Sequence, residues 1–182
     1  MVSFRIDREI ILREFTYEDA EEVFRTVTEN YEHLRPFMHW IVPDYSLELT
    51  RHFISEAIAA RLERRNLGLA ILRKDRFIGS IGFTTFDRLA NTTEIGYWIS
   101  GDEEGKGIIT RATRLLIGHA FSELGMNRIE IRCSAENLRS GAIPERLGFK
   151  KEGVLRQSQF RNGKLHDFNV YGLLKSEWQP KS

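Results

Sequence analysis

The chain holds one cysteine, Cys133, so no internal disulfide is available, and a reducing, cytoplasmic setting is the expectation. It lacks any apolar run near the ~20 residues that a membrane span needs. Its opening residues, MVSFRIDREI, lack the apolar core of a signal peptide. Charge of one sign is missing as well: 27 Lys and Arg face 26 Asp and Glu, a formal net charge of +1. That balance excludes the broad field that draws proteins to nucleic acid or acidic membranes, so any basic site must be local. Neither an internal repeat nor a low-complexity linker is present. The five histidines show no metal-ligand spacing, and no metal is expected. What remains is ordinary for one domain over residues 1–182: 41% hydrophobic and 29% charged, long enough to bury a sizeable core.

Periodicity then divides the chain. Glu9 to Phe15 alternates and is β-branched, a strand. Thr16 caps a helix to about Asn30, with Asp19 as a short-armed partner in a capping box. Leu34 to Pro43 is aromatic and irregular, a loop or short helix. Ser46 caps a second helix through Phe53, Ile54, Ala57, Ile58 and Leu62. Strands are expected at Gly68–Arg73, Phe77–Phe86 and Thr93–Ser100, and a helix at Gly107–Leu124. Arg128–Ser134 reads as a strand and Asn137–Leu147 as a helix, which Pro144 should kink or shorten. Phe149–Phe160 and Leu165–Leu174 form a hairpin about Asn162-Gly163, a type I′ signal. The order βααβββαβαββ describes a mixed α/β domain with antiparallel and parallel pairs.

The strand-turn-helix from Glu94 to Leu124 carries the chemistry. Gly105-Lys106-Gly107 stands where the helix begins. Free N–H groups of a first helical turn favour an anion, and glycine lets a ligand approach the backbone. No acidic residue occurs from Gly105 through Ser122, whereas Lys106, Arg111 and Arg114 crowd the first turns. A helix on its own prefers Asp or Glu there, so the cations point to a bound anion such as a phosphate. A lone G-x-G is not specific, and a ligand-free glycine turn is the competing reading. The dinucleotide fingerprint fails because Thr110 replaces its third glycine, and the P-loop spacing fails between Gly101 and Gly105.

Five motifs occur in order: EIGYWI at Glu94–Ile99, EGKGIIT at Glu104–Thr110, N-x-x-S at Asn137–Ser140, ERLGF at Glu145–Phe149, and N-G-x-x-H-D at Asn162–Asp167. Together they resemble the GNAT acetyltransferases, in the branch of ribosomal-protein serine and alanine N-terminal acetyltransferases, over nearly the whole chain. The resemblance implies a GNAT-like fold, a central mixed sheet flanked by helices. It also implies acetyl-CoA as donor and a primary amine as acceptor. It places the CoA pyrophosphate on Glu104, Gly105, Lys106, Gly107, Ile108, Ile109 and Thr110. The pantetheine arm falls along Tyr97, Trp98 and Ile99, with Asn137 bonding to the arm and Ser140 donating to the departing thiolate. Phe37, Met38, His39 and Trp40 match the acceptor-side wall, and Gln159, His166 and Asp167 line the acceptor side. The chain departs from the pattern at Asp102, usually Gln or Arg, and at Arg111, usually Glu. It departs again at Gln159, where some relatives carry a Glu general base.

An amide cannot take a proton at neutral pH. Glu94, which opens its strand, is the first candidate base, acting through water; an exposed strand-end carboxylate is the alternative. His166 and Asp167 read either as bases or as a hairpin pair stabilising the sheet. An N-terminal α-amine of pKa ~8 needs little help from a base. Ser140 reads as the acid or as a plain helix residue. Cys133 lies in an apolar strand and reads as a buried thiol rather than a nucleophile. Three functions compete. The first is an N-terminal peptide acetyltransferase. The second is a small-amine acetyltransferase for a polyamine or aminoglycoside, with Glu29, Glu32 and Asp44 as contributors. The third is a CoA-binding sensor that lost catalysis, motivated by Gln159. A homodimer is expected by resemblance.

Overall fold

A computed structural model describes residues 2–179. Eight strands make one sheet in the order β1-β2-β3-β4-β5-β6-β8-β7. They are β1 (Ser3–Arg5), β2 (Ile10–Glu14), β3 (Leu67–Arg73), β4 (Arg76–Asp87), β5 (Thr92–Ile99), β6 (Arg128–Ser134), β7 (Lys150–Arg161) and β8 (Lys164–Leu174). Five helices accompany them: α1 (Ala20–Glu29), α2 (Tyr31–Leu34), α3 (Leu47–Leu62), α4 (Ile108–Ser122) and α5 (Leu138–Arg146). The expected order is therefore corrected by two short additions, β1 and α2. Neither is long enough to show a period. β1 is held by pairing with Ile11, Leu12 and Arg13 of β2.

Local chemistry explains most boundaries. The Thr16 N–H donates to Asp19 at 2.8 Å, half of the expected capping box, and a single 3₁₀ turn precedes α1. Ser46 accepts from the Leu49 N–H at 3.3 Å and starts α3. Asn162 and Gly163 have φ of +49° and +75°, as a type I′ turn requires.

Both faces of the sheet are covered, so β3 reads as an apolar run rather than an alternation. Leu69 and Ile71 point toward α4, where Ala112, Leu116, Ile117 and Ala120 are fully buried. Ala70 and Leu72 point toward α1 and α3, joining Val23, Val27, Ile54 and Phe77.

One feature of this frame shapes the site. All neighbouring strands run antiparallel except β5 and β6, which are parallel. They pair only where Thr92–Glu94 meets Arg128–Glu130. Beyond Glu94 they part, because β6 stays zipped to β8 over its whole length while β5 stays with β4.

Candidate active site

The parting strands leave one edge of β5 unpaired. The Ser100 N–H donates to Ile78 of β4 at 2.8 Å. Alternation then turns the N–H and C=O groups of Tyr97 and Ile99 the other way, into the gap. Trp98 faces the α1–α3 side of the sheet and packs on Trp40, with ring centroids 5.8 Å apart. The Tyr97 side chain faces the α4–α5 side.

The loop at the end of this gap is built for the backbone. Gly105 and Gly107 have φ of +73° and +69°, the left-handed region, and no atom lies within 4 Å of a Cβ built on either. Conformation, not crowding, demands glycine there, and the space above them is open. Gly107 caps α4 without any side-chain bond, and no acid occupies the first turn, so the N–H groups of Ile108 and Ile109 project outward unmatched. Their side chains anchor the loop, at 2% and 6% exposure, in the core.

The cations around this loop correct one expectation. Lys106 pairs with Glu103 at 3.0 Å, and Arg111 pairs with Asp7. Of the cations crowding the first turns, only Arg114 has no carboxylate within ion-pair distance among the described residues. Glu103 is the hub beneath the loop. It is 4% exposed and also takes Arg73 at 2.8 Å and Arg76 at 2.9 Å. Burial pushes its carboxyl up, but the bonds from Lys106 and Arg73 outweigh burial and hold it below the usual range. Asp102, the departure noted above, braces the same loop by pairing with Arg76 at 2.9 Å. Glu104 bonds Arg139 of α5 and lies 3.4 Å from His33, and Thr110 accepts from Arg146 at 3.0 Å. A cavity of about 450 Å³ adjoins the loop on its β1–β2 side, lined by Asp7, Arg8, Arg73, Lys106 and Arg111. It is not the gap itself.

At the far side of the gap stands α5. The Asn137 Oδ1 accepts from the Ser140 N–H at 3.0 Å and caps the helix, leaving its amide N–H groups for other partners. Pro144 does not end the helix. It removes the donor that would have met the Ser140 carbonyl four residues back. The Tyr97 hydroxyl donates to that freed carbonyl instead, at 3.1 Å. The Ser140 hydroxyl donates to Tyr97 Oη at 3.4 Å. Burial pushes the Tyr97 phenol well up, so it stays a neutral donor. The sequence implicates Tyr97 through its backbone alone; Pro144 marks a freed carbonyl, and only the fold brings the Tyr97 hydroxyl to it. Cys133 is buried on the inward face with Ile129 and Ile131, and burial pushes its thiol up, consistent with an inert thiol.

The acceptor-side residues gather in part. Gln159 Nε2 lies 3.4 Å from His39 Nδ1, and Arg161 donates to Gln159 Oε1 at 3.1 Å and toward the Phe37 carbonyl at 3.5 Å. His166 is adjacent, with Nδ1 3.2 Å from Glu136 Oε2 and Nε2 3.3 Å from the Arg161 carbonyl. Both neighbours are acceptors, so the ring stands between a carboxylate and a carbonyl. Arg156–Ser158 bulge out of β7, Gln157 has φ +48°, and Asp167 Oδ1 accepts the Gln157 N–H at 2.8 Å. One oxygen of that carboxylate thus holds the bulge. Glu94, at the last paired position, shares a sheet face with Trp98 and lies 3.6 Å from Arg132. Burial raises its carboxyl, Arg132 opposes this and Glu130 adds to it. Glu29, Glu32 and Asp44 are exposed, and no hydrogen bond or ion pair among the described residues joins them; Glu32 pairs with Arg35 instead.

Among the described residues no group of His, Cys, Asp and Glu could hold a metal, and no helix is long and apolar enough to cross a membrane. Residues 9–150 match the family profile described as an acetyltransferase (GNAT) domain. YdaF of Bacillus subtilis, named provisionally as a ribosomal N-acetyltransferase, is 33% identical over 98% of each chain. The ribosomal-protein-serine acetyltransferase of Escherichia coli is 27% identical, covering 93% of this chain and 94% of its own. A solved microcin C7 self-immunity acetyltransferase, in complex with acetyl-CoA and AMP, superposes with a TM-score of 0.87 at 29% identity, covering 93% and 94% of the two chains.

Proposed function

The chain belongs to the GNAT acetyltransferases, and from that premise we propose that it transfers the acetyl group of acetyl-CoA to the α-amine of a protein or peptide N-terminus, of the ribosomal-protein type. The observation that carries this reading is the half-open β5–β6 ladder ending at the α4 N-terminus, which no side chain caps. A phosphate and an extended amide-bearing arm fit such a pair of features. The names of the relatives support the acceptor.

In this reading Glu104 to Thr110 cradle the pyrophosphate with backbone N–H groups. Tyr97 and Ile99 pair with the pantetheine amides, and the Asn137 amide adds a bond. Acetyl-CoA supplies a thioester, and the neutral amine attacks it directly within a ternary complex. A β5 N–H in the gap polarises the carbonyl oxygen. The new bond is C–N and the broken bond is C–S. Ser140 gives its proton to the leaving sulfur and regains one from water as CoA thiol departs, while the neutral Tyr97 hydroxyl positions it. Glu94 takes the amine proton through water. Phe37, His39, Trp40 and Gln159 wall the acceptor side, with His166 supporting Gln159's neighbour Arg161. Residues 1–182 act as one domain, in the cytoplasm. The exposed edge strand β7, with Val154, Leu155 and Phe160, supports a homodimer.

A panel tests the acceptor: peptides with free Ser, Ala or Met N-termini, spermidine and an aminoglycoside. Acetylation of a peptide α-amine, located by mass spectrometry, is expected. Turnover of the small amines alone would move the chain to the second function. Tight acetyl-CoA binding with no acceptor used would favour the sensor.

A further inference from the structure

Arg161 is 4% exposed, yet Nε and Nη2 of its guanidinium have no hydrogen-bond partner. Only Nη1 is engaged, by Gln159 Oε1 at 3.1 Å and more distantly by the Phe37 carbonyl at 3.5 Å. The Phe37 ring lies 5.9 Å away. A buried cation with idle donors is unfavourable unless something completes it. The nearest carboxylate, Glu136 Oε2, stands 3.7 Å from Nη2, beyond hydrogen-bonding range. Its side chain is 68% exposed, and its one hydrogen-bond contact among the described residues is with His166 Nδ1 at 3.2 Å, so an anion that displaces it from Arg161 gives up no hydrogen bond of the guanidinium. The residues touching this guanidinium, Phe37 and Gln159, belong to the acceptor-side group of the reading above, on which this inference rests.

We propose that Arg161 is a specificity-determining residue that selects acceptors carrying an oxyanion, carboxylate or phosphate, close to the reacting amine. The anion replaces Glu136 at Nη2 and takes the idle donors in the forked geometry that guanidinium offers. An amide at Gln159 fits this role, because it accepts from Nη1 without neutralising the charge. A glutamate there would satisfy Arg161 from within the protein and compete with the acceptor.

Three acceptor pairs separate the sources of the oxyanion. A peptide beginning Ser-Asp is compared with Ser-Asn, serine with serinamide, and 2-aminoethyl phosphate with ethanolamine. Calorimetry on the CoA-saturated protein gives a Kd ratio for each pair that does not depend on turnover. The same pairs are then compared by kcat/KM. Expected is at least a tenfold preference for the anionic member of one pair, carried by Kd and KM. It should fall below threefold in Arg161→Met and in Gln159→Glu, with Arg161→Lys between. Acetyl-CoA affinity within twofold of native certifies that a variant is folded. Should Arg161→Met fail that check, Gln159→Glu decides alone. Ratios near one in all pairs, or a preference that survives the variants, would overturn the inference. Loss of turnover with the Kd preference intact would instead count against acetyl transfer.

Discussion

Replacing Glu103 with glutamine isolates the support beneath the Gly105–Gly107 loop. The carboxylate is 4% exposed and receives Lys106, Arg73 and Arg76 at 3.0, 2.8 and 2.9 Å. Charge-assisted bonds contribute about 1.5–3 kcal/mol each when shielded. Here the cations are 30–53% exposed, so water recovers much of each contact, and about 0.5–1 kcal/mol apiece is the better figure. The variant should lose about 2 kcal/mol in all, or roughly 4–8 °C in Tm for a chain of this size. The pH dependence gives a second reading. The folded pKa of Glu103 is lowered, because Lys106 and Arg73 outweigh the upward push of burial. The native advantage over Glu103→Gln is therefore full above the unfolded value of ~4.3 and disappears as pH falls below it, through the lowered folded pKa. Because Lys106 and the loop lose their anchor, KM for acetyl-CoA should rise several-fold, with kcat less affected. Thermal melts across pH, with and without acetyl-CoA, make the measurement. A Tm within about 1 °C of native at pH 7 would refute the hub as a source of stability. A difference that persisted undiminished into acid would show that it is not electrostatic.

Ser140→Ala should lower kcat about 10²- to 10⁴-fold with KM for acetyl-CoA little changed, since its N–H, not its hydroxyl, serves the Asn137 cap; an unaltered kcat in stopped thiol-release assays would remove Ser140 as the acid. Gly107→Ala puts a side chain on a residue at φ +69° and into open space. It should cost about 1 kcal/mol of stability, while acetyl-CoA affinity by titration falls at least tenfold; equal affinity would mean that no ligand lies over the loop. For Glu94→Gln, an α-amine of pKa ~8 is already about one-tenth neutral at pH 7, so kcat should fall about tenfold. Burial raises the Glu94 carboxyl, so the base is lost as pH falls through a value above the usual carboxylate range, and the variant's pH–rate profile should lose that limb. Retention of the limb would assign it to another group.

The parts of this protein legible in its sequence are those encoded over a few neighbouring residues. The β5 strand, the glycine turn that starts α4, the helix that begins after Asn137 and the Asn162-Gly163 turn all have short-range causes. The hidden parts depend on distant partners. Arg111 read as an anion's counterion, but Asp7 lies 104 positions away in the chain, and nothing local announced it. Glu103, three residues before Lys106, was within reach of an i,i+3 argument and lay just outside the acid-free window. Asp167 matched a motif, yet the bulge at Arg156–Ser158 claimed its carboxylate. Pro144 announced a disturbed helix, while the use made of it, a free carbonyl for Tyr97, required the fold. Nor could periodicity show that β5 and β6 part after Glu94, since a strand's pattern records its faces and not its edges.

Direct acetyl transfer to a free α-amine is the proposal on which the other predictions rest. Its most direct test is thiol release from acetyl-CoA with one peptide in two forms, N-terminus free and N-terminus acetylated, against a control without acceptor. Turnover is expected with the free form and control-level release with the blocked form. Equal release with both forms, or none above control with either, would contradict it.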